Sequence, residues 1–134
     1  MRDINHLIDG AAFVGASGRF ADVFDPNTGA VQARVQLASV SEVDRAVQSA
    51  QAAFDGWSST NPQRRARVMF EFKRLVEANM NDLAELLSSE HGKVVADSRG
   101  DIQRGLEVIE FACGIPHALK GEYTYGAGPG IDVY

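Results

Sequence analysis

At 134 residues, with 45% hydrophobic and 23% charged content, the chain has the size and composition of one small globular domain with its own core. Its 13 basic and 18 acidic residues give a net charge of −5, which argues against the basic stripe of a nucleic-acid binder. The single cysteine excludes an internal disulfide framework, and no apolar run approaches the ~18 residues of a membrane-spanning helix.

The first forty residues alternate short apolar patches with turn chemistry. Leu7-Ile8 and Phe13-Val14 flank Asp9-Gly10-Ala11-Ala12, and Asp-Gly is a strong hairpin-turn signal. Residues 20–24 are a second strand candidate, closed by the turn residues Asp25-Pro26-Asn27-Thr28-Gly29. Val31, Ala33, Val35 and Leu37 then alternate with Gln32, Arg34 and Gln36, the two-residue period of a half-buried strand. Two or three antiparallel strands are predicted over residues 1–40. A hairpin alone is marginal in water, so this region needs support from elsewhere.

From Ser41 the period becomes helical. Ser41 is predicted as the N-cap, with Asp44 in a capping-box-like position. Val43, Ala46, Val47, Ala50, Phe54 and Trp57 mark one apolar face. Asn61-Pro62 pairs a capping side chain with a proline suited to a first helical turn. A long helix is predicted from Pro62 towards Glu90, carrying Met69, Phe72, Leu75, Val76, Met80, Leu83, Leu86 and Leu87, with a bend or break at residues 79–81. Gly92 stands where a left-handed C-terminal cap belongs. A third helix is predicted over about residues 94–112, ended by Pro116. Residues 121–130, with four glycines, two tyrosines and a proline, read as an exposed connection, and Ile131-Asp132-Val133-Tyr134 as the start of a strand.

The third helix holds the most informative segment. Ile102, Leu106, Ile109 and Cys113 recur at spacings of four, three and four, forming one apolar stripe. Arg104 lies about 200° around the helix from Ile102, towards Val108 and Phe111. Gly100 and Gly105 flank it, and each costs a helix about 1 kcal/mol relative to alanine. Two readings of Arg104 stand side by side: a surface ion pair with Asp101 or Glu107, or a fork that clamps a carboxylate in two parallel hydrogen bonds.

No other residue set assembles a reaction centre. Cys113 sits on the apolar stripe, where buried structural cysteine is the commoner state. His6, His91 and His117 lack metal-ligand spacing, and Glu107 and Glu110 read as a solvated face. Gly15-Ala16-Ser17-Gly18 and Gly126-Ala127-Gly128-Pro129-Gly130 match neither dinucleotide nor Walker spacing, and both read as turns. No catalytic, cofactor-binding or metal-binding residue is expected on the chain.

These residues carry a resemblance. Asp25-Pro26-Asn27-Thr28-Gly29 is similar to the N-P-x-T-G turn of the aldehyde dehydrogenase superfamily, Ser41 to Val47 with Phe54 and Trp57 to its first helix, and Glu90-His91-Gly92-Lys93 to its E-x-G-K helix junction. Within the superfamily, the chain resembles the CoA-acylating methylmalonate-semialdehyde (malonate-semialdehyde) dehydrogenases through Arg64-Arg65-Ala66-Arg67-Val68-Met69-Phe70, Gly100 to Glu107, and Glu110 to Pro116. Cys113 departs from the small residue usual there, which fits packing.

The resemblance implies an α/β aldehyde dehydrogenase fold in a full enzyme, of which residues 1–134 form an N-terminal part of the NAD-binding domain. The implied divisions are strands over 1–40, three mainly helical segments over 41–120, and a connection with the start of an oligomerisation strand over 121–134. It implies NAD as cofactor and CoA as co-substrate in the full enzyme, neither held by this stretch, and Arg104 as the anchor of the semialdehyde carboxylate. The implied reaction converts the semialdehyde to an acyl-CoA with loss of carbon dioxide, the catalytic cysteine and cofactor motif lying outside these residues. A homo-oligomer (dimer or tetramer) in the cytoplasm is expected, without nucleic-acid or membrane partners. The competing readings are another aldehyde dehydrogenase subfamily and a non-catalytic helical interaction module.

Overall fold

The structure, a computed structural model, describes residues 1–134 as two compact units: Met1–Asp55 with Ser89–Gly92, and Gly56–Ser88 with Lys93–Tyr134.

In the first unit, β1 (Arg2–Ile4), β4 (Phe20–Phe24) and β5 (Val31–Gln36) form a three-stranded sheet in the order β1-β5-β4. β4 and β5 are antiparallel, as predicted, with a register shift at Val23/Phe24. β1 was not expected, and it runs parallel to β5 with Arg2 opposite Ala33 and Ile4 opposite Val35. Arg2-Asp3-Ile4 has no alternating pattern to reveal it. Pairing is reinforced across the sheet by the Arg34 guanidinium, which reaches both Asp3 carboxylate oxygens at 3.0 and 3.2 Å and lies 4.7 Å from the Phe20 ring centroid. The β4–β5 turn is closed by amides of Thr28 and Gly29 donating to the Asp25 carbonyl.

β2 (His6–Ile8) and β3 (Ala11–Phe13) make the separate predicted hairpin. Asp9 and Gly10 occupy its two-residue loop at φ 57° and 72°, the paired left-handed conformations of a type I′ turn.

Helix α1 (Val40–Ser58) starts two residues earlier than a cap at Ser41 requires, and its cap is different. The capping box is Ser39 with Glu42, not Ser41 with Asp44: the Ser39 amide and hydroxyl donate to Glu42 Oε2 at 2.6 and 2.8 Å. The apolar face of α1 is uncovered, with Val43, Val47 and Phe54 all exposed.

In the second unit, α2 (Pro62–Ala78) packs on α4 (Val95–Cys113) and on the short α5 (Ile115–Ala118). Asn61 caps α2 by accepting the Gln63 amide at 2.9 Å. The anticipated break falls at Asn79, whose side-chain amide takes the Leu75 carbonyl at 2.7 Å, and α3 (Met80–His91) follows. Lys73 bridges Glu77 on its own helix and Glu110 on α4. Gly114, rather than Pro116, ends α4, and Pro116 lies in the first turn of α5, where its missing N–H leaves no bond unmade.

Residues 121–130 are only partly a connection. Thr124–Gly128 form β6, antiparallel to β7 (Ile131–Val133). Glycines disfavour strands, which hides β6 in the sequence. Polar clasps compensate: Asp132 accepts the Gly126 amide at 2.7 Å and the Tyr123 hydroxyl at 2.5 Å, while the Asn61 side-chain amide donates to the Gly126 carbonyl at 2.6 Å.

The buried apolar residues are few and, Leu106 apart, small: Ala33, Ala66, Ala84, Leu106 and Cys113. Most larger apolar side chains retain substantial exposure, so the chain's elements are formed but their outward faces are largely uncovered.

Candidate functional site

Helix α4 places Arg104 as its 3.6-residue period requires. Leu106 and Cys113 are 3% and 7% exposed, and Ile102 and Ile109 are half-buried, so the predicted stripe faces inward. Arg104 is exposed on the opposite side, beside Val108 and Phe111, which are 69% and 76% exposed.

The local ion pair with Asp101 or Glu107 does not form. Asp101 is engaged by Lys93, across the start of α4, and the Arg104 guanidinium has no hydrogen-bond or ion-pair partner in the chain. A Cβ built on Gly100 or Gly105 meets nothing within 4 Å. Their helix cost is therefore not offset by packing inside this chain. They leave the backbone on either side of Arg104 bare, and an unpaired guanidinium fork on an open, partly apolar face is suited to a planar anion such as a carboxylate.

No nucleophile accompanies it. Cys113 is nine residues further along α4, half a turn out of phase with Arg104, and buried as a packing residue. No group of three or more histidine, cysteine or acidic residues is placed to hold a metal ion. The arrangement can bind and orient a charged group.

A second polar constellation escaped the sequence reading. Gln36 and Glu42 are buried at 5% and 7% exposure, and both clamp the backbone at Gly15-Ala16. Gln36 Oε1 accepts the Gly15 amide and Gln36 Nε2 donates to the Gly15 carbonyl, both at 2.6 Å, while Glu42 Oε1 accepts the Ala16 amide at 2.5 Å. The Ser39 amide, then the Ala16 amide and the Ser39 hydroxyl, hold the Glu42 carboxyl down at about 2. The S-x-x-E spacing of Ser39 and Glu42 was the available signal. These bonds occupy the amides of Gly15 and Ala16, so the Gly15–Gly18 stretch is a clamped turn.

Comparison with known proteins gives this geometry a context. The aldehyde dehydrogenase family profile matches residues 13–132. The chain is 43% identical over 134 residues to malonate-semialdehyde dehydrogenase of Pseudomonas aeruginosa, covering 100% of this chain and 27% of that protein. It is 40% identical over 131 residues to the acylating mitochondrial methylmalonate-semialdehyde dehydrogenase of Arabidopsis thaliana, covering 98% and 22%. Among solved structures, it aligns at a TM-score of 0.87 and 56% identity with a protein of Sinorhizobium meliloti 1021 assigned as methylmalonate-semialdehyde dehydrogenase and complexed with NAD, covering 98% of this chain and 27% of that one. The methylmalonate-semialdehyde dehydrogenase of Oceanimonas doudoroffii aligns at 0.86 and 45%, with coverages of 98% and 27%. The chain thus spans about a quarter of the length of these relatives.

Proposed function

The chain belongs to the aldehyde dehydrogenase family, and from that premise we propose that it is an N-terminal part of an NAD-dependent, CoA-acylating (methyl)malonate-semialdehyde dehydrogenase, with Arg104 anchoring the substrate carboxylate. The observation that carries this reading is the unpaired Arg104 guanidinium on the bare, glycine-flanked face of α4. The relatives named as acting on semialdehydes that bear a carboxylate support it.

In the proposed reaction a semialdehyde carboxylate, CoA and NAD yield an acyl-CoA, carbon dioxide and NADH. Arg104 contributes binding and orientation, holding the carboxylate end in two charge-assisted hydrogen bonds. The residues present do not fit NAD itself. The Gly15 and Ala16 amides are taken by Gln36 and Glu42, Pro129 offers no amide, and the Gly126 amide is held by Asp132. The chain alone is therefore expected neither to bind NAD nor to oxidise aldehydes; cofactor and nucleophile belong to the remaining length of such an enzyme. A cytoplasmic homo-oligomer is part of the same proposal; no helix here is long and apolar enough to cross a membrane.

The test is Arg104→Leu in the full-length polypeptide that carries this segment. Losing a charge-assisted pair worth about 1.5–3 kcal/mol lowers kcat/KM for malonate semialdehyde roughly tenfold to a hundredfold, with turnover of propanal, which has no carboxylate, unchanged. Equal turnover of malonate semialdehyde by variant and wild type would assign the chain to a different aldehyde dehydrogenase subfamily.

A further inference from the structure

An atom that these residues alone close off from solvent is closed off equally from whatever continues the polypeptide, so its bonding is a local matter. His6 Nε2 is such an atom: it is shielded from solvent and has no hydrogen-bond partner, although shielded polar atoms are ordinarily paired. His6 opens β2 opposite Phe13, with the two rings stacked at 6.3 Å between centroids. Its Nε2 converges with Gln36 and Glu42 on the bare Cα of Gly15. A Cβ there would lie 3.1 Å from His6 Nε2, 3.1 Å from Gln36 Cδ and 2.8 Å from Glu42 Oε1. The imidazole nitrogen and the carboxylate oxygen are thus at most about 6 Å apart, within the range over which opposite charges favour one another. Both ends of the Gln36 amide are spent on the Gly15 backbone, and Glu42 accepts from the Ala16 amide and from the Ser39 amide and hydroxyl. Those three bonds leave a carboxylate room for one more. The other charge near His6 is Arg45 of α1, whose guanidinium lies 4.5 Å from the Phe13 ring centroid, while β3 and β5 bring the neutral Phe13 and Gln36. Glu42 is the ion that borders the Gly15 contact.

We propose that His6 and Glu42 form a proton-operated latch on the Gly15–Gly18 loop. Protonated His6 presents an Nε2–H to Glu42 Oε1 across the Gly15 Cα, where no side chain intervenes, and the loop is then held from both the hairpin and α1. Neutral His6 leaves Nε2 idle, and the loop is held by Gln36 and Glu42 alone. Histidine is the side chain that changes charge between about pH 5 and 8, so the latch closes as pH falls through that range and opens as it rises. The sign follows from linkage, since a group that gains a partner on protonation stabilises the form that holds the proton. Glu42 stays ionised throughout, being held at about 2. The latch does not involve Arg104 and does not rest on the proposed reaction.

The experiment is hydrogen–deuterium exchange of the full-length polypeptide that carries this segment, read by mass spectrometry between about pH 5 and 8 and corrected for the intrinsic pH dependence of exchange. Peptides containing Gly15 and Ala16 are expected to lose protection about tenfold as pH rises across this range, the worth of one charge-assisted hydrogen bond, while α2 peptides do not change. His6→Phe keeps a ring against Phe13 but takes no proton, and His6→Gln carries an amide that is neutral throughout. Both variants are expected to give a flat profile, and α2 protection checks that each is folded. A flat wild-type profile overturns the proposal, and so does a pH-dependent profile that survives in either variant.

Discussion

The Ala16 amide donates to the Glu42 carboxylate at 2.5 Å across 26 residues of sequence, tying the loop after the β2–β3 hairpin to the first turn of α1. The same carboxylate caps α1 through Ser39, so one ionised group sets both the helix start and the loop position. His6 adds a favourable charge interaction when it is protonated.

This tie is expected to be acid-labile. Glu42 is held at about 2 in the fold against an ordinary value of 4.5, so the unfolded chain binds its proton first as pH falls. Its contribution to stability is complete above pH 4.5 and is lost as pH drops through about 2. Hydrogen exchange at the Ala16 amide should accelerate across that window relative to other protected amides. Glu42→Gln should remove this extra acid step; an identical pH profile in the variant would show that Glu42 is not its source.

Gly92 and Gly100 should respond in opposite directions to alanine. Gly92 has φ 82°, and a Cβ there would lie 2.9 Å from Pro26 Cγ, so Gly92→Ala combines left-handed strain with a collision. Its cost should be on the order of 2 kcal/mol. Gly100→Ala enters open space in the middle of α4 and should stabilise the chain by about 0.5–1 kcal/mol. Urea denaturation of the two variants measures both.

Cys113 should behave as a packing residue. Buried on the inner stripe of α4, it should react with a thiol reagent only as fast as the chain opens. Cys113→Ala should lower stability by about 1 kcal/mol. A thiol that titrates rapidly in the folded chain would contradict the buried placement.

The isolated chain should self-associate. Val43, Val47 and Phe54 of α1 are exposed, as are Val108 and Phe111 of α4, and β6 and β7 form a two-stranded sheet with free edges. Sedimentation should show species larger than 14.5 kDa that shift towards monomer on dilution. Val108→Asp combined with Phe111→Asp should weaken association, and a sharp monomer boundary in the wild-type chain at high concentration would count against it.

What could be read from the sequence was what local chemistry dictates. Asp9-Gly10 requires a hairpin turn, Asn61-Pro62 a helix start, and the spacing of Ile102, Leu106, Ile109 and Cys113 fixes which way Arg104 points. β1 was hidden because its pairing with β5 is a backbone event that Arg2-Asp3-Ile4 does not advertise. β6 was hidden because glycine obscures a strand held by side-chain clasps from Asn61 and Asp132. At α1, two serines stood two residues apart, and only the geometry distinguishes Ser39 from Ser41 as the cap. That Asp101 is not available to Arg104 was equally illegible, since it is Lys93 that reaches Asp101 over a helix start.

Three of the five buried apolar residues are alanines: Ala33, Ala66 and Ala84, at 1%, 7% and 0% exposure. Mutational sensitivity in the isolated chain should therefore run against size. Trimming Phe54, Phe70 or Phe111 removes side chains that are 63%, 59% and 76% exposed, and should cost little. Adding two carbons at Ala84 has nowhere to go without prising its neighbours apart. A saturation scan should find its least tolerant positions among the smallest side chains, and the large aromatics should become intolerant only once something covers them.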